Sequence, residues 1–241
     1  MSENYNYIEQ NLNLINAKIN NAVSNRDGRY NNGEVRLLAV TKTVEAEKIN
    51  FAVSKGVNLI GENKVNELLE KYDKINKDGL EIHFIGTLQT NKVKYIIDKV
   101  NLIQSVNSVR LAEEINKRAA QKNITMDILA ELNIGEEETK TGIRPEETAE
   151  FIQSLKDFEN LRVKGLMAIP PPAGNSEKAK INQFFIKMHE IFIDISSKKI
   201  DNIDNIDMRI LSMGMSGDYE QAVSCGSNMV RIGSAVFGER L

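Results

Sequence analysis

A chain of 241 residues, 41% of them hydrophobic, can bury a substantial core, either as one α/β barrel or as two smaller domains. Its 31 Lys+Arg against 34 Asp+Glu give a formal net charge of −3, which excludes an overall basic field for nucleic acid or an anionic membrane, so any basic site is local. Cys225 is the single cysteine, so no intramolecular disulfide forms, and with His83 and His189 as the two histidines there is no Cys/His zinc cage. The opening MSENYNYIEQ lacks the basic start and apolar run of a secretory signal, and no apolar stretch reaches bilayer length. The expected compartment is the cytoplasm.

In chain order, residues 7–23 place Ile8, Leu12, Ile15 and Ile19 at spacings of four, three and four, which predicts a helix packing on the outside of the sheet that follows. From residue 36 onward, short β-branched or apolar runs alternate with longer segments of helical period. Strands are predicted at 36–42, 58–63, 82–86, 102–107, 127–134, 163–169, 208–214 and 229–237. Helices are predicted at 44–55, 64–75, 91–99, 109–122, 145–155 and 177–197, with Pro145 suited to a first helical turn. Eight βα repeats without a Gly/Ser-rich or Pro-rich divider predict one domain over 1–241, a single (β/α)8 TIM barrel with an extra N-terminal helix. The rival, an open doubly wound sheet, usually needs fewer strands. Pro170-Pro171-Pro172-Ala173-Gly174 reads as a rim loop. The acidic run Glu136-Glu137-Glu138 and the DNIDNID echo at 201–207 read as solvated loops.

In such a barrel the site is built at the strand C-termini. Lys42 ends the run Leu37-Leu38-Ala39-Val40-Thr41, and alternation puts it on the face of Leu38 and Val40. If that face is interior, desolvation favours the neutral amine that attacks an aldehyde; a lysine snorkelling at a strand end fits the same pattern. Two glycine-bearing segments, 212–218 and 231–234, fall in the last two βα loops, where these barrels commonly bind phosphate. Tight turns that need glycine are the alternative. Gly61-Glu62-Asn63, His83, and Glu131 with Asn133 are further polar strand positions. Neither a dinucleotide turn, a Walker A loop nor a GxSxG elbow is present.

The ordered motifs LLAVTKT (37–43), GENKVNE (61–67), HFIGTLQTNK (83–92), IQSVNS (103–108), NIGEEETKTG (133–142), GLMAIPP (165–171), LSMGMSGD (211–218) and MVRIGSAVFG (229–238) span nearly the whole chain. Together they resemble the pyridoxal phosphate homeostasis proteins, also called the YggS family, which are similar to the barrel domain of alanine racemase. The resemblance implies that Lys42 holds pyridoxal 5′-phosphate (PLP) as an internal aldimine and that Asn63 and His83 lie around the cofactor. It further implies that Met167 lines the ring pocket, that Ser212, Gly214, Gly233 and Ser234 surround the phosphate, and that Arg231 approaches the pyridine nitrogen. A permanent cation there disfavours ring protonation and weakens PLP as an electron sink. Ile82, Glu131 and Asn107 stand where the family often has Trp, Gln and Asp, which alters local pocket polarity.

The implied function is intracellular PLP homeostasis: storing the cofactor, limiting free aldehyde and handing it to PLP-dependent apo-enzymes, without robust catalysis. The alternative is a weak amino-acid racemase. Two-base racemisation needs a second group besides Lys42, and the racemase's separate C-terminal domain is expected to be missing beyond Leu241. Tyr219 is then the candidate second base. A class I aldolase would use Lys42 but leave the other motifs idle. Without that second domain the expected state is a monomer, and Lys64, Lys92 and Lys140 are considered as secondary PLP attachment points.

Overall fold

The computed structural model describes residues 5–30, 33–135, 141–171, 178–197 and 204–238. Among them, β1 (Arg36–Val40), β2 (Leu59–Glu62), β3 (Glu81–Phe84), β4 (Leu102–Val106), β5 (Met126–Leu132), β6 (Leu161–Ala168), β7 (Ile206–Ser212) and β8 (Met229–Ile232) run parallel in sequential order. β8 pairs back onto β1 through Leu38↔Arg231 and Ala39↔Ile232, closing the barrel. The connecting helices are α2 (Ala46–Ser54), α3 (Val65–Tyr72), α4 (Val93–Ile96), α5 (Val109–Gln121), α6 (Thr148–Ser154), α7 (Lys178–Ser197) and α8 (Tyr219–Ser224), and α9 (Ser234–Phe237) follows β8. The predicted N-terminal helix is α1 (Asn6–Ser24). It buries Ile8, Leu12, Ile15, Ile19 and Ala22 and packs against α8 and α9.

The element boundaries depart from the sequence reading where short segments are ambiguous. The last strand stops at Ile232 instead of running to 237, because Gly233 turns the backbone (φ −113°, ψ −76°) into the short helix α9. α8 has six residues behind a Gly/Ser/Asp loop, too few to leave a helical period, and it was not expected. The helix foreseen at 91–99 shrinks to α4 behind a 3-10 turn at Thr90–Lys92, and Pro145 opens a 3-10 turn ahead of α6. β7 begins at Ile206, which is 3% exposed, so the end of the DNIDNID echo is strand. Glu136, Glu137, Glu138, Lys140 and the end of the proline loop from Pro172 lie outside the described residues.

Strand alternation divides the buried side chains into two populations. Outward residues such as Ala39, Ile60, Ile103, Ile128 and Leu166 meet the helices in one continuous apolar layer. Inward residues form smaller groups, Leu38, Val40, Leu59, Ile85 and Met229 on one side and Leu102, Leu129 and Met167 on the other, with Ile210 against both. The rest of the interior is polar. His83, Gln104, Ser212 and Arg231 are each at most 3% exposed.

The N-terminal mouth carries ion pairs from strand beginnings: Arg36 with Glu81 (2.9 Å), Arg162 with Asp127 (3.1 Å) and Lys164 with Asp207 (2.6 Å). Hydrogen bonding to His83, with Arg36 adding to it, pulls the Glu81 carboxyl from its ordinary 4.5 down to about 2. A folded pKa below the unfolded one contributes stability above about pH 4.5, and that contribution is lost as pH falls toward about 2. Glu81→Gln is therefore expected to flatten the acid limb of a urea-unfolding pH series relative to wild type. The effect is modest because the side chain is 44% exposed and screened. Identical acid limbs would show that the pairing adds nothing.

Candidate functional site at the C-terminal mouth of the barrel

Lys42, the last residue of the strand that the sequence predicts, lies in a turn two residues beyond the observed end of β1 at Val40, and it is half-buried. That turn is braced from beneath. Thr41 donates its N–H to the Gly61 carbonyl (3.0 Å) and its hydroxyl to Glu62 Oε1 (2.6 Å). The Lys71 ammonium, reaching over from α3, donates to the Thr41 carbonyl (2.8 Å), Glu62 Oε1 (3.1 Å) and Glu67 Oε1 (2.6 Å). Thr43 adopts the left-handed φ of 62° and donates its N–H to Glu67. A β-carbon in that region is strained, so the turn holds its shape because both flanking residues are tied to one buried cluster. Burial pushes the Glu62 carboxyl up, against the pull of Thr41 and Lys71.

Lys71 is 12% exposed at its side chain and bridges two carboxylates and a carbonyl. Removing one partner of a buried pair costs about 3–5 kcal/mol. Lys71→Met is expected to lose roughly 3 kcal/mol of unfolding free energy by that rule, read in urea, and to loosen the Lys42 turn. A loss below about 1 kcal/mol would rank the cluster with ordinary surface pairs.

Lys42 opens into a pocket of about 340 Å3 lined also by Val40, Thr43, Val44, Gly233 and Ser234, at the lower end of the ~300–1,000 Å3 typical of small-molecule sites. Gly233 of that lining carries a backbone donor, and beside it Ser216 and Ala235 line a neighbouring hollow. The N–H groups of Gly233 and Ala235 converge on the Ser216 hydroxyl at 3.3 and 3.4 Å. These are long bonds, which an anionic oxygen accepts more strongly than a hydroxyl does. Ser216 was not among the predicted site residues, although it lies inside the glycine segment that drew attention to this loop.

The other predicted residues are distributed around this pocket and below it. Gly214 (φ 94°) needs the absence of a side chain, since a β-carbon would lie 2.5 Å from Ala222 Cβ and 3.1 Å from Tyr219 Cα. It lets the 212–218 loop lie on α8. Asn63, just past β2, has a buried Oδ1 without a hydrogen-bond partner. Met167 is fully buried beside Leu102 and Leu129 inside the barrel. Ser212 is deeper than the phosphate position expected of it, donating to Gln104 Oε1 (2.7 Å) and accepting from Arg231 (2.8 Å). His83 is also interior, with Nδ1 3.0 Å from Gln104 Nε2 and Nε2 3.4 Å from Glu81. Burial lowers its pKa, so the ring stays neutral.

Arg231 is a cation buried in the barrel interior. Its guanidinium donates to Ser212 and to the Ala168 carbonyl (2.8 Å). Burial lowers its pKa to about 10, so it is charged at neutral pH. Glu131, held by Asn107 at 3.1 Å, is pushed up by burial, as is Asp218. Tyr219 packs into the outer apolar layer and lines the hollow that holds Ser216 and Ala235, against Asn11, Leu14, Ile15 and Lys18 of α1, and does not line the Lys42 pocket. The geometry does not bring it to Lys42. Among the described residues no group of three or more His, Cys, Asp or Glu is placed to hold a metal, and no helix is long and apolar enough to cross a membrane.

These residues fit PLP: an amine in a turn, the Gly233-Ser234 backbone in the same pocket, and an orphaned polar atom at Asn63. A family profile described as the alanine racemase N-terminal domain matches residues 14–241. The pyridoxal phosphate homeostasis protein of Aquifex aeolicus is 43% identical over 215 residues, covering 89% of this chain and 91% of that one. Its counterpart in Haemophilus influenzae is 37% identical, covering 97% and 96%. The structure of PipY from Synechococcus elongatus with PLP bound superposes with a TM-score of 0.79 at 25% identity, over 96% of this chain and 100% of that one. The chain belongs to the alanine racemase N-terminal domain family and, within it, to the pyridoxal phosphate homeostasis proteins.

Proposed function

We propose that this protein holds PLP on Lys42 in the cytoplasm, as a monomer, and buffers or delivers it to PLP-dependent apo-enzymes. The observation that carries this reading is the single pocket shared by Lys42 and the Gly233-Ser234 backbone, which sets an aldehyde-reactive amine opposite donors suited to a phosphate. When bound, PLP supplies an aldehyde that captures amines and a ring that, if protonated, stabilises carbanions. The protein's part is to bind and orient. The Glu62-Glu67-Lys71 cluster fixes the Lys42 turn, Gly233 and Ala235 offer their N–H groups, and Asn63 offers an unpaired acceptor. Arg231 is charged and has no acceptor, so a ring nitrogen set against it receives no proton. Tyr219, the candidate second base, does not line the Lys42 pocket, which favours holding and release over racemisation.

The reading is tested by loading the protein with PLP, reducing with borohydride and mapping peptides by mass spectrometry. The expected pyridoxyl adduct is on Lys42; an adduct confined to Lys64, Lys92 or Lys140, or none, overturns it. Transfer of PLP from the unreduced protein to a PLP-stripped apo-enzyme, faster than from the reduced protein, tests delivery.

A further inference from the structure

The barrel interior holds a run of polar side chains, most of which the PLP pocket does not need. Arg231 donates to Ser212 Oγ (2.8 Å), the Ser212 hydroxyl donates to Gln104 Oε1 (2.7 Å), and Gln104 Nε2 donates to His83 Nδ1 (3.0 Å). His83 Nε2 then faces Glu81 Oε2 at 3.4 Å. Gln104 Nε2 also lies 3.2 Å from Met229 Sδ. Ser212, Gln104 and His83 each accept from one neighbour and present a donor to the next, so the chain has one direction, from a buried cation near the C-terminal mouth to a half-exposed carboxylate at the N-terminal mouth.

Gln104 is the element that sets this direction. An amide has one accepting and one donating end, and between a hydroxyl and an imidazole it serves both in one orientation. That orientation requires a lone pair on His83 Nδ1 and so places the ring proton on Nε2, toward Glu81. Four of the five side chains are no more than 3% exposed, so none can exchange a lost partner for bulk water without the barrel opening.

We infer that Gln104 is a positioning residue for Arg231, and that through it the cofactor site at one mouth of the barrel is coupled to the Glu81–His83 pair at the other. The inference rests on the reading that PLP occupies the pocket beside Arg231. With two histidines in the chain, 15N-histidine labelling reports on it directly, and His189→Gln separates the two sets of ring signals. In the ligand-free protein His83 is expected as the Nε2–H tautomer. Gln104→Glu, which keeps the acceptor for Ser212 but removes the donor to His83, is expected to place a proton on Nδ1. PLP loading is expected to move the His83 ring signals in wild type and to leave them in place in Gln104→Met, compared at equal Lys42 occupancy measured by mass.

An unchanged His83 tautomer in Gln104→Glu, or a PLP-induced shift that persists in Gln104→Met, overturns the inference. Failure of wild type to take PLP on Lys42 overturns the functional reading instead, and the ligand-free Gln104→Glu spectrum then decides the chain by itself. Gln104→Glu is nearly isosteric and supplies that result if Gln104→Met does not fold.

Discussion

Lys42→Ala is expected to abolish the borohydride-stable pyridoxyl adduct and to weaken PLP binding by at least about 100-fold, roughly 2.8 kcal/mol. The backbone donors at Gly233 and Ala235, and Arg231, survive the substitution, so residual binding through the phosphate and ring is expected. The protein itself is expected to remain folded, because Thr41, Thr43, Glu62, Glu67 and Lys71, which brace the turn from beneath, all survive the substitution. Its unfolding free energy should move by less than about 1 kcal/mol. Binding is read by equilibrium dialysis and the adduct by mass spectrometry. An adduct of undiminished yield in Lys42→Ala would assign the chemistry to another lysine.

The second large effect concerns the barrel itself. Gly165 sits in β6 where the register shifts against both β5 and β7. Its φ is 149°, and a β-carbon there would lie 1.8 Å from the Ile210 carbonyl oxygen and 2.7 Å from its carbon. The obstacle is backbone of the neighbouring strand, which cannot rotate away as a side chain does. Gly165→Ala is expected to cost more than about 4 kcal/mol or to prevent folding. Gly56→Ala provides the comparison: its φ of 96° is also positive, but nothing lies within 4 Å of the added carbon. That variant should lose only about 1–2 kcal/mol of left-handed strain. Equal losses in urea unfolding would mean that φ, and not the close approach of β7, is what requires glycine at 165.

The sequence by itself determined the features that depend on local pattern. Short β-branched or apolar runs between segments of helical period located all eight strands, the stripe Ile8, Leu12, Ile15 and Ile19 located α1, and the motif order located the lysine-bearing turn. These signals are legible because a strand or a long helix must repeat its apolar contacts at a set spacing. The ends of elements were not legible. Gly233 can continue a strand or turn it into α9, and the four to six residues of α4, α8 and α9 are too few for a period to show.

Which polar side chains meet was decided by the tertiary structure alone. Ser212 and His83 are 129 positions apart in sequence and both lie near the cofactor motifs, yet barrel closure brings Gln104 between them and draws both into the interior. Ser216, three residues before the start of α8, becomes the occupant of the backbone donors of Gly233 and Ala235 only when β7 and β8 lie side by side. The Lys71 brace was half visible, since Glu67 and Lys71 are four apart on one helix. Its attachment to Glu62 and to the Thr41 carbonyl depends on β1 and β2 pairing, with Ala39 beside Ile60. Pairing across a closed sheet joins residues at separations that no local period records, and the partners of a buried polar atom are set by that closure.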